Sequence, residues 1–425
     1  MQSYAPNTWY HESAHKPEIL ANDITSDTHY DVAIIGAGFT GISAALRLAQ
    51  AGVKVAVFEA NSIGQGASGR NGGLVCTGFR HDQKWFETKM GVSAADDLWQ
   101  LAEAAKTHLR QIITAHNIKA DLEYGLVCAA HTPRQLDVLH ADAGHLLAKY
   151  DYSKIGIIEK AELSDALGTD VYYGGTIDKG AGRLHPLKLL YGLADASQKA
   201  GARIFENCRV NQINETSQKV ALLTQNGEIS ADRIILAGDG YLEGIDNQIE
   251  AKVMPIYSFV IATEPLIENK IMKGAVAASD TRFVLNYFQR TIDNRLIFGG
   301  GEKYSTAWPK DIAAFVAKNM HAIFPQLRSA EITHSWGGAL GITPTRLPLV
   351  RQQSPRVLVC AGYSGQGVLL APFFGAIMGE MLLGDSTRFS KIDKMPVPTF
   401  PGGRAMRFPL LSAAMSYYSI LDKLP

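Results

Sequence analysis

The feature that most constrains this chain is a strand, a glycine-rich turn, a helix and a second strand within residues 31–59. Asp31–Ile35 is an apolar run that suits a strand buried on both faces. The turn Gly36-Ala-Gly38-Phe-Thr-Gly41 follows directly, and an apolar helical pattern then ends at Gly52. The next apolar run, Val53–Phe58, closes at Glu59. This order predicts a βαβ unit and therefore an α/β fold with a Rossmann-like parallel sheet.

Each of these residues has a physical role in holding a dinucleotide. Gly36 permits the tight turn, Gly38 lets the backbone approach a pyrophosphate, and Gly41 lets the helix pack closely on the strand. The helix N-terminus offers unpaired N–H groups and a partial positive charge to the phosphates. Glu59 is placed to accept both ribose hydroxyls, and its charge disfavours the 2′-phosphate of NADP. The turn alone leaves NAD and FAD open.

A second glycine loop, Gly64–Gly73, favours FAD. Its small residues surround Arg70 and Asn71 and expose backbone N–H groups, so the chain can lie flat against a planar group. Further along, the runs Arg233–Gly240 and Arg356–Gly367 each take a buried strand into small residues. The second of them opens a long apolar helix, whose N-terminus suits the negative charge of a reduced flavin ring.

This ordered set of motifs resembles the D-amino-acid-oxidase-like (DAO) FAD-dependent oxidoreductases, and within that family it is most similar to the gamma-glutamylputrescine oxidoreductase branch. The resemblance covers about residues 4 to 422 and includes Gly182–Leu187, Asp293–Gly301, Phe324–Leu327 and Phe400–Arg404. It implies a Rossmann-like FAD-binding domain of the glutathione-reductase type, interrupted by a mixed-sheet α+β substrate domain.

The resemblance also implies which residues contact FAD. The first turn would hold the pyrophosphate, Glu59 the adenosine ribose, and the backbone of Val210 the adenine. The second glycine loop would run beside the flavin, and the last turn would lie at its pyrimidine edge. The full predicted set is Gly36, Gly38, Thr40, Gly41, Glu59, Ala60, Gly66, Ala67, Ser68, Arg70, Asn71, Gly72, Gly73, Leu74, Val210, Ala237, Gly238, Gly362, Ser364, Gly365, Gln366, Gly367 and Val368.

Some relatives tether the flavin covalently, and the sequence departs from them at both tethering positions. Gly69 stands where such relatives carry a flavin-linking His, and the stretch Gly341–Pro348, where others carry a linking Cys, has none. Non-covalent FAD is therefore predicted.

The positions of the motifs predict a discontinuous arrangement of domains. The FAD-binding domain is expected at residues 28–85, 150–245 and 336–395, and the substrate domain at 86–149 and 246–335. Residues 396–425 are expected to form a tail docked on the body. Within the substrate domain, Phe283–Arg290 and Arg295–Gly299 are read as strands joined by a turn.

Composition excludes other classes of function. Lys plus Arg equals Asp plus Glu at 41 each, so no strong field exists to gather nucleic acid or anionic lipid. The four cysteines are far apart and form neither a metal motif nor a disulfide framework. The most apolar run, Val368–Leu383, is too short for a membrane span and contains Pro372. Residues 1–30 lack a signal-peptide pattern, so a cytoplasmic protein is expected.

The expected reaction is hydride transfer from the carbon next to a neutral amine to flavin N5, followed by hydrolysis of the imine. The flavin supplies the chemistry, so the protein has to orient the substrate and stabilise charge. The candidate residues on the substrate side are Arg346, Tyr287, Tyr257, Lys303 and Trp336. The aromatic ones suit both cations and apolar chains. His185, just before Pro186, is expected to cap a helix rather than to act in catalysis.

Alternatives remain open from the sequence. The substrate is a small amine, such as a gamma-glutamylated polyamine, or a secondary or N-methyl amino acid such as pipecolate. A carboxylate-binding Arg in the pocket would favour the amino acid, and an aromatic channel without one would favour the amine. Dioxygen or a quinone would reoxidise the flavin. Two other classes are an NAD-dependent dehydrogenase and a non-catalytic flavin-binding subunit for electron transfer.

Overall fold

The apolar runs of the sequence form two large β-sheets in a computed structural model, which describes residues 8–20, 28–266, 271–303, 308–407 and 409. The strands in chain order are β1 (His29–Ile35), β2 (Val55–Phe58), β3 (Leu74–Val75), β4 (Glu123–Ala129), β5 (Ile155–Glu159), β6 (Gly174–Arg183), β7 (Arg203–Phe205), β8 (Val210–Glu215), β9 (Val220–Thr224), β10 (Gly227–Leu236), β11 (Met254–Thr263), β12 (Ala277–Asp280), β13 (Tyr287–Arg290), β14 (Leu296–Lys303), β15 (Ile332–Ile342), β16 (Leu349–Gln352) and β17 (Val357–Ala361). The helices are α1 (Trp9–Ser13), α2 (Phe39–Gln50), α3 (Gln83–Met90), α4 (Val92–Ala115), α5 (Pro133–Tyr150), α6 (Lys160–Leu167), α7 (Pro186–Lys199), α8 (Asn247–Glu250), α9 (Ile312–Ile323), α10 (Gly367–Leu382) and α11 (Phe389–Ile392).

The first sheet has the strand order β16-β17-β10-β1-β2-β7, and β8 and β9 extend it beside β10. The pairs from β17 to β7 are parallel. β1 and β2 are rich in Val, Ile and Ala, as expected of strands covered on both faces. Helix α2 packs against α7 and α10. Because β2 and β10 lie on opposite sides of β1, a crevice opens at the carboxyl ends of these strands.

The second sheet is mixed, with the order β15-β11-β14-β13-β12-β4-β6-β3 and with β5 beside β6. The β4–β12 pair is parallel and its other pairs are antiparallel. Its core includes Phe288, which stacks on Phe298 and meets the edge of Phe324. The predicted α/β fold with a second, mixed sheet is confirmed.

Sheet membership differs from the predicted arrangement of domains at β3, which pairs in the second sheet although it falls within residues 28–85, and at two further places. β5 and β6 lie in the second sheet, although residues 150–245 were expected in the FAD-binding domain. β15 also pairs within the second sheet, although that domain was expected to resume at residue 336. The glycines of β6 account for its place in the second sheet: a Cβ on Gly182 would lie 1.9 Å from the Glu123 carbonyl oxygen, so glycine there allows close contact between the strands.

The predicted strand Phe283–Arg290 is wrong in its first half. Only Tyr287–Arg290 pairs as a strand, and the residues before it form a hairpin turn. The buried Asp280 carboxylate closes this turn by accepting from the Asn286 backbone N–H at 3.0 Å and from its Nδ2 at 2.8 Å.

The described part of the C-terminal tail contacts the body. The Phe400 N–H donates to the Ala251 carbonyl at 2.8 Å, and Arg407 Nη1 donates to the carbonyls of Glu250 and Val253. Residue 408 and residues 410–425 lie outside the described residues. Within the described chain no helix is both long and apolar enough to cross a membrane. The apolar run Val368–Leu383 instead forms α10, most of which is buried.

Candidate cofactor and substrate site

The turn between β1 and α2 is shaped to admit a ligand against its backbone. Gly36 has φ of +105°, and a Cβ there would lie 2.9 Å from the Ala237 carbonyl oxygen. A Cβ on Gly41 would lie 1.9 Å from the Gly36 carbonyl oxygen, so only glycine lets the helix start so close to the strand. Gly38 is the N-cap of α2 and has no side chain to cap it. The first turn of α2 therefore offers N–H groups to an anion.

Glu59 reaches back to this turn from the end of β2. One carboxylate oxygen accepts from the Ala37 N–H and the other from the Asn61 N–H, each at 2.9 Å. Burial raises the pKa of Glu59 above its ordinary value, opposed by these two hydrogen bonds. Each oxygen retains a lone pair, so the carboxylate has the acceptors that two ribose hydroxyls need.

The second glycine loop packs against the N-terminus of α2. Ser68 Oγ accepts from the Phe39 N–H at 3.0 Å and would lie 2.9 Å from a Cβ on Gly38. Asn71 fixes the loop internally, since its Nδ2 donates to the carbonyls of Ala67 and Ser68 and its Oδ1 accepts from the Gly73 N–H. The loop is thus held by its own residues before any ligand binds.

A second uncapped helix N-terminus lies beside the first. The turn before α10 has φ of +76° at Gly362 and +97° at Gly365, and no side chain caps the N-terminus of the 16-residue helix. Asp239 joins this turn to β15, because its two oxygens accept from the Gly362 N–H at 2.7 Å and the Gly341 N–H at 2.8 Å. The Tyr363 hydroxyl lies 2.5 Å from Thr40 Oγ1, which ties the two helix starts together.

These elements share one cavity of about 1040 Å³. A cavity of this size is large enough for a drug-sized ligand and more. Two helix N-termini have N-cap residues that make no side-chain capping bond, and glycines leave the nearby backbone without Cβ atoms. Both features fit the pyrophosphate and planar ring of FAD. The predicted cofactor residues that line the cavity are Gly38, Thr40, Ala67, Ser68, Arg70, Asn71, Gly72, Leu74, Ala237, Ser364, Gly365, Gln366, Gly367 and Val368.

The other predicted cofactor residues lie outside this lining and are Gly36, Gly41, Glu59, Ala60, Gly66, Gly73, Val210, Gly238 and Gly362. Several of them pack behind the residues that line the cavity. A Cβ on Gly73 would lie 2.4 Å from Gln289 Nε2, and one on Gly362 would lie 2.4 Å from Thr343 Cγ2. Val210 begins β8 in the antiparallel arm of the first sheet. Their contact with FAD stays a prediction.

The second sheet supplies an apolar wall on the other side of the cavity. Ile256, Ser258 and Val260 of β11 line it, together with Leu340 and Ile342 of β15. Tyr257 lies on the opposite face of β11, where its ring packs near Trp308 at 5.9 Å between centroids. This placement follows from the two-residue period of a strand, which sends neighbouring side chains to opposite faces.

The remaining substrate-side candidates are placed differently from one another. Tyr287 lines the cavity, and its hydroxyl lies 3.3 Å from Ser258 Oγ. Arg346 also lines it, with its guanidinium 4.9 Å from the centre of the Phe283 ring. Trp336 is buried behind the second glycine loop and donates to the Arg70 carbonyl at 2.9 Å. Lys303 ends β14, and its side chain lies outside the described part of the structure.

Charged residues that the sequence analysis missed line the end of the cavity at the β12–β13 turn. Arg282 pairs with the buried Asp280, which also accepts from the Tyr172 hydroxyl. Burial disfavours the guanidinium charge, but Asp280 and Tyr172 outweigh it and raise the pKa of Arg282. Arg80 and Asp82 line the same region. The available signal was two opposite charges spaced i, i+2, at Asp280 and Arg282, just before the predicted strand Phe283–Arg290.

Helix α5 covers this end of the cavity. Gln135, Val138, Leu139 and Asp142 line it at the i, i+3, i+4, i+7 spacing of one helix face. Burial and the Asp82 carboxylate raise the pKa of Asp142. Among its described residues only Ala143 is fully buried, so α5 packs loosely on the body.

The end of α5 is tied to α3 through Glu87. This carboxylate accepts from His145 at 2.8 Å and from the Tyr150 hydroxyl at 2.7 Å, and it lies 3.0 Å from Lys149 Nζ. Burial alone would raise the pKa of Glu87, but these three partners outweigh it and lower the pKa to about 2. The cluster is therefore a polar link between the C-terminal end of α5 and α3.

The chain is similar to known oxidoreductases along most of its length. The sequence profile of the family described as DAO, FAD dependent oxidoreductase, matches residues 31–381. The probable oxidoreductase OrdL of Rhizobium meliloti (strain 1021) is 37% identical over 394 residues, covering 92% of each chain. The gamma-glutamylputrescine oxidoreductase of Escherichia coli (strain K12) is 32% identical over 425 residues, covering 98% of each. The crystal structure of glycine oxidase from Geobacillus kaustophilus has the same fold, with a TM-score of 0.72 at 21% identity over 85% of this chain and 98% of that one.

Proposed function

Because this chain belongs to the DAO family of FAD-dependent oxidoreductases, which act on amines or amino acids, we propose that it oxidises a C–N bond of a primary amine in a gamma-glutamylated polyamine. Such a substrate carries the reacting amine at one end and a carboxylate and an ammonium group at the other. The electron acceptor in this proposal is dioxygen or a quinone.

The observation that carries the proposal is that one cavity joins the glycine turns to a charged far end. The same cavity is lined by Ile256, Val260 and Leu340, which suit a methylene chain. At the β12–β13 turn, Arg282 presents a guanidinium that the buried Asp280 holds in place, as a substrate carboxylate requires. Similarity over nearly the whole chain to a gamma-glutamylputrescine oxidoreductase supports the same substrate class.

The residues of the chain have three roles in this reaction. FAD, when bound, supplies the hydride acceptor. The apolar wall excludes water, and desolvation favours the neutral form of the amine, which is the reactive one. The Tyr287 and Ser258 hydroxyls supply polar groups on that wall, and the N–H groups at the start of α10 favour negative charge beside them.

Non-covalent binding of FAD is part of the proposal. A Cβ on Gly69 would lie 2.0 Å from the Gly64 carbonyl oxygen, so this backbone has no room for a linking side chain at that position. Two thiols line the cavity, but burial raises the pKa of Cys76 to about 11 and that of Cys128 to about 12. Both are protonated at neutral pH and are poor nucleophiles. Release of all the flavin on acid precipitation checks this point.

The test is anaerobic reduction of the bound flavin by a panel of gamma-glutamylputrescine, putrescine, sarcosine and pipecolate. We expect gamma-glutamylputrescine to bleach the flavin with a KM at least about tenfold below that of putrescine, since a charged hydrogen bond contributes roughly 1.5–3 kcal/mol. Arg282→Gln should raise the KM for gamma-glutamylputrescine by about tenfold and leave that for putrescine within about twofold. Arg134→Gln, on the exposed side of α5, is the matched control.

A flavin that no compound of the panel reduces would contradict the proposal and favour a subunit for electron transfer. Equal KM values for gamma-glutamylputrescine in the wild type and in Arg282→Gln would contradict the proposed role of Arg282. They would not contradict amine oxidation.

A second candidate is oxidation of a secondary or N-methyl amino acid, and Arg346 favours it. This arginine comes three residues after Thr343, whose N–H lies 3.4 Å from Ser364 Oγ beside α10, and its guanidinium lines the cavity over the Phe283 ring. A carboxylate bound there would lie near the reacting carbon. Faster bleaching by sarcosine or pipecolate than by gamma-glutamylputrescine, lost in Arg346→Gln, would establish this candidate instead.

A further inference from the structure

The N-terminal helix α1 lies outside the part of the chain that matches the family profile, yet it is packed in the interior. The match begins at residue 31, whereas Trp9 and Tyr10 are 5% and 0% exposed. Thr8 caps the helix, and its Oγ1 lies 2.7 Å from His11 Nδ1. A five-residue helix has no stability of its own, so its position is determined by what it packs against.

Tyr10 packs among three residues, two of which hold the second glycine loop. Its ring meets the edges of His185 at 5.0 Å and Trp336 at 5.4 Å between centroids. Its hydroxyl accepts from Gln289 Nε2 at 3.3 Å. Burial raises the pKa of the Tyr10 hydroxyl, so it remains a neutral phenol.

Gln289 and Trp336 connect Tyr10 to the second glycine loop. Gln289 is buried, and its Nε2 donates to the Gly72 carbonyl at 2.6 Å as well as to Tyr10. Trp336 donates to the Arg70 carbonyl. The peptide that joins Gly72 to Gly73 then has both polar atoms engaged, because the Gly73 N–H donates to Asn71 Oδ1. The opposite side of the loop is cavity wall, formed by Arg70, Asn71 and Gly72.

His185 anchors the other end of α1. Its Nδ1 accepts from the Lys188 N–H at the start of α7, as predicted for a helix cap, so the proton is on Nε2. Nε2 lies 3.0 Å from Ser13 Oγ, which itself donates to the Trp9 carbonyl. Burial lowers the pKa of His185 to about 3, so this neutral arrangement holds across the physiological range.

We propose that α1 is part of the cofactor site, with Tyr10 and Gln289 as positioning residues that hold the Gly72–Gly73 peptide ready for the flavin ring. The inference rests on FAD occupying the cavity, and it does not depend on which amine is oxidised. The adenosine end of the site is separate from α1, since Glu59 takes its hydrogen bonds from the Ala37 and Asn61 N–H groups. Loss of Tyr10 or Gln289 contacts should therefore weaken binding of FAD and spare binding of ADP, which has the adenosine and both phosphates but no flavin.

The experiment measures the dissociation constants of FAD and ADP with the full-length chain. Tyr10→Phe removes one hydroxyl and should raise the FAD dissociation constant about twofold to tenfold, the effect of one hydrogen bond. Gln289→Met leaves the Gly72 carbonyl buried without its donor and should raise it about tenfold to hundredfold. Both should leave the ADP dissociation constant within about twofold. The visible flavin spectrum should shift in Gln289→Met, since the ring then rests on a displaced loop.

Glu12→Gln is the matched control, because Glu12 belongs to α1 but its carboxylate contacts His334 at 2.7 Å and is mostly exposed. Both dissociation constants should stay within about twofold of the wild type. The inference is overturned if the FAD constant of Gln289→Met is unchanged, or if the FAD and ADP constants rise together. If Gln289→Met does not fold by circular dichroism, Tyr10→Phe decides by the same two constants. A wild-type chain that binds no FAD would instead overturn the cofactor assignment itself.

Discussion

The two halves of the cavity are built in different ways. The cofactor half uses backbone groups of short contiguous motifs: the β1–α2 turn, the second glycine loop and the turn before α10. The substrate half uses side chains from β11, α5, the β12–β13 turn and the segment around Arg346. Backbone groups can bind a ligand only where no side chain blocks them. Side chains can bind one only where particular residues come together in the fold. Substitutions in the cofactor half should therefore change the affinity for FAD, whereas substitutions in the substrate half should change the substrate KM.

The largest effect is expected where a side chain is added to the cofactor half. Gly41→Ala places a Cβ 1.9 Å from the Gly36 carbonyl oxygen, so α2 must move away from β1. We expect the free energy of unfolding to fall by about 3 kcal/mol and FAD affinity to fall by about 100-fold. Denaturant unfolding and flavin titration measure the two effects. Gly144→Ala, in α5 with open space around it, is the control and should leave FAD affinity unchanged.

Asp239→Asn tests the residue that joins the two halves. The amide is neutral and keeps only one oxygen, so one of the N–H groups of Gly341 and Gly362 faces an NH2 donor and loses its acceptor. We expect a loss of about 2 kcal/mol in the free energy of unfolding, and a rise in both the FAD dissociation constant and the substrate KM. A change confined to either constant would show that the halves are more independent than this contact implies.

Glu87→Gln should lower stability by loosening helix α5, which covers the substrate half. The effect should appear only at a pH above the pKa of Glu87. The pKa of Glu87 is lowered from 4.5 to about 2, so its stabilising contribution is complete above about pH 4.5 and is lost as the pH falls toward 2. Because solvent screens this surface cluster, we expect the variant to be about 1 kcal/mol less stable at pH 6. Urea unfolding at pH 6 and near pH 2 measures this. An equal difference at both pH values, or a changed FAD affinity, would contradict the assignment.

Val138→Thr should give the smallest effect and the sharpest contrast. Val138 lines the cavity and is 51% exposed, whereas Leu147 on the same helix is 53% exposed and lies outside the lining. Losing half-buried apolar contact should raise the substrate KM about twofold, or roughly 0.5 kcal/mol, without changing FAD affinity. Leu147→Thr should change neither constant. Equal KM shifts in the two variants would mean that α5 acts through its stability and not through contact with substrate.

The sequence predicts the backbone turns of the cofactor half because spacing carries the information there. Glycines at 36, 38 and 41 and an acid at 59 specify a turn, a helix start and a strand end, and each is found in that place. The confirmed fold class follows from the same unit. Asp239 escaped notice because its role depends on two N–H groups more than 100 residues away in the chain.

The substrate half could not be predicted in the same way. β11 is largely buried on both faces, so its residue pattern does not show that Ser258 faces the cavity and Tyr257 faces away. The turn after β12 depends on a contact between Asp280 and Asn286 that competes with the strand propensity of Phe283 and Val284. In both cases tertiary packing, and not local propensity, decides the outcome.

The position of α1 has a consequence for the order of assembly. Its residues are translated well before those of its partners His185, Gln289 and Trp336. Contacts so distant in the chain close slowly, because a long loop must be ordered before they form. The second glycine loop therefore reaches its final shape only after Trp336 has been translated. We expect FAD to be captured by the finished chain and not by a nascent one.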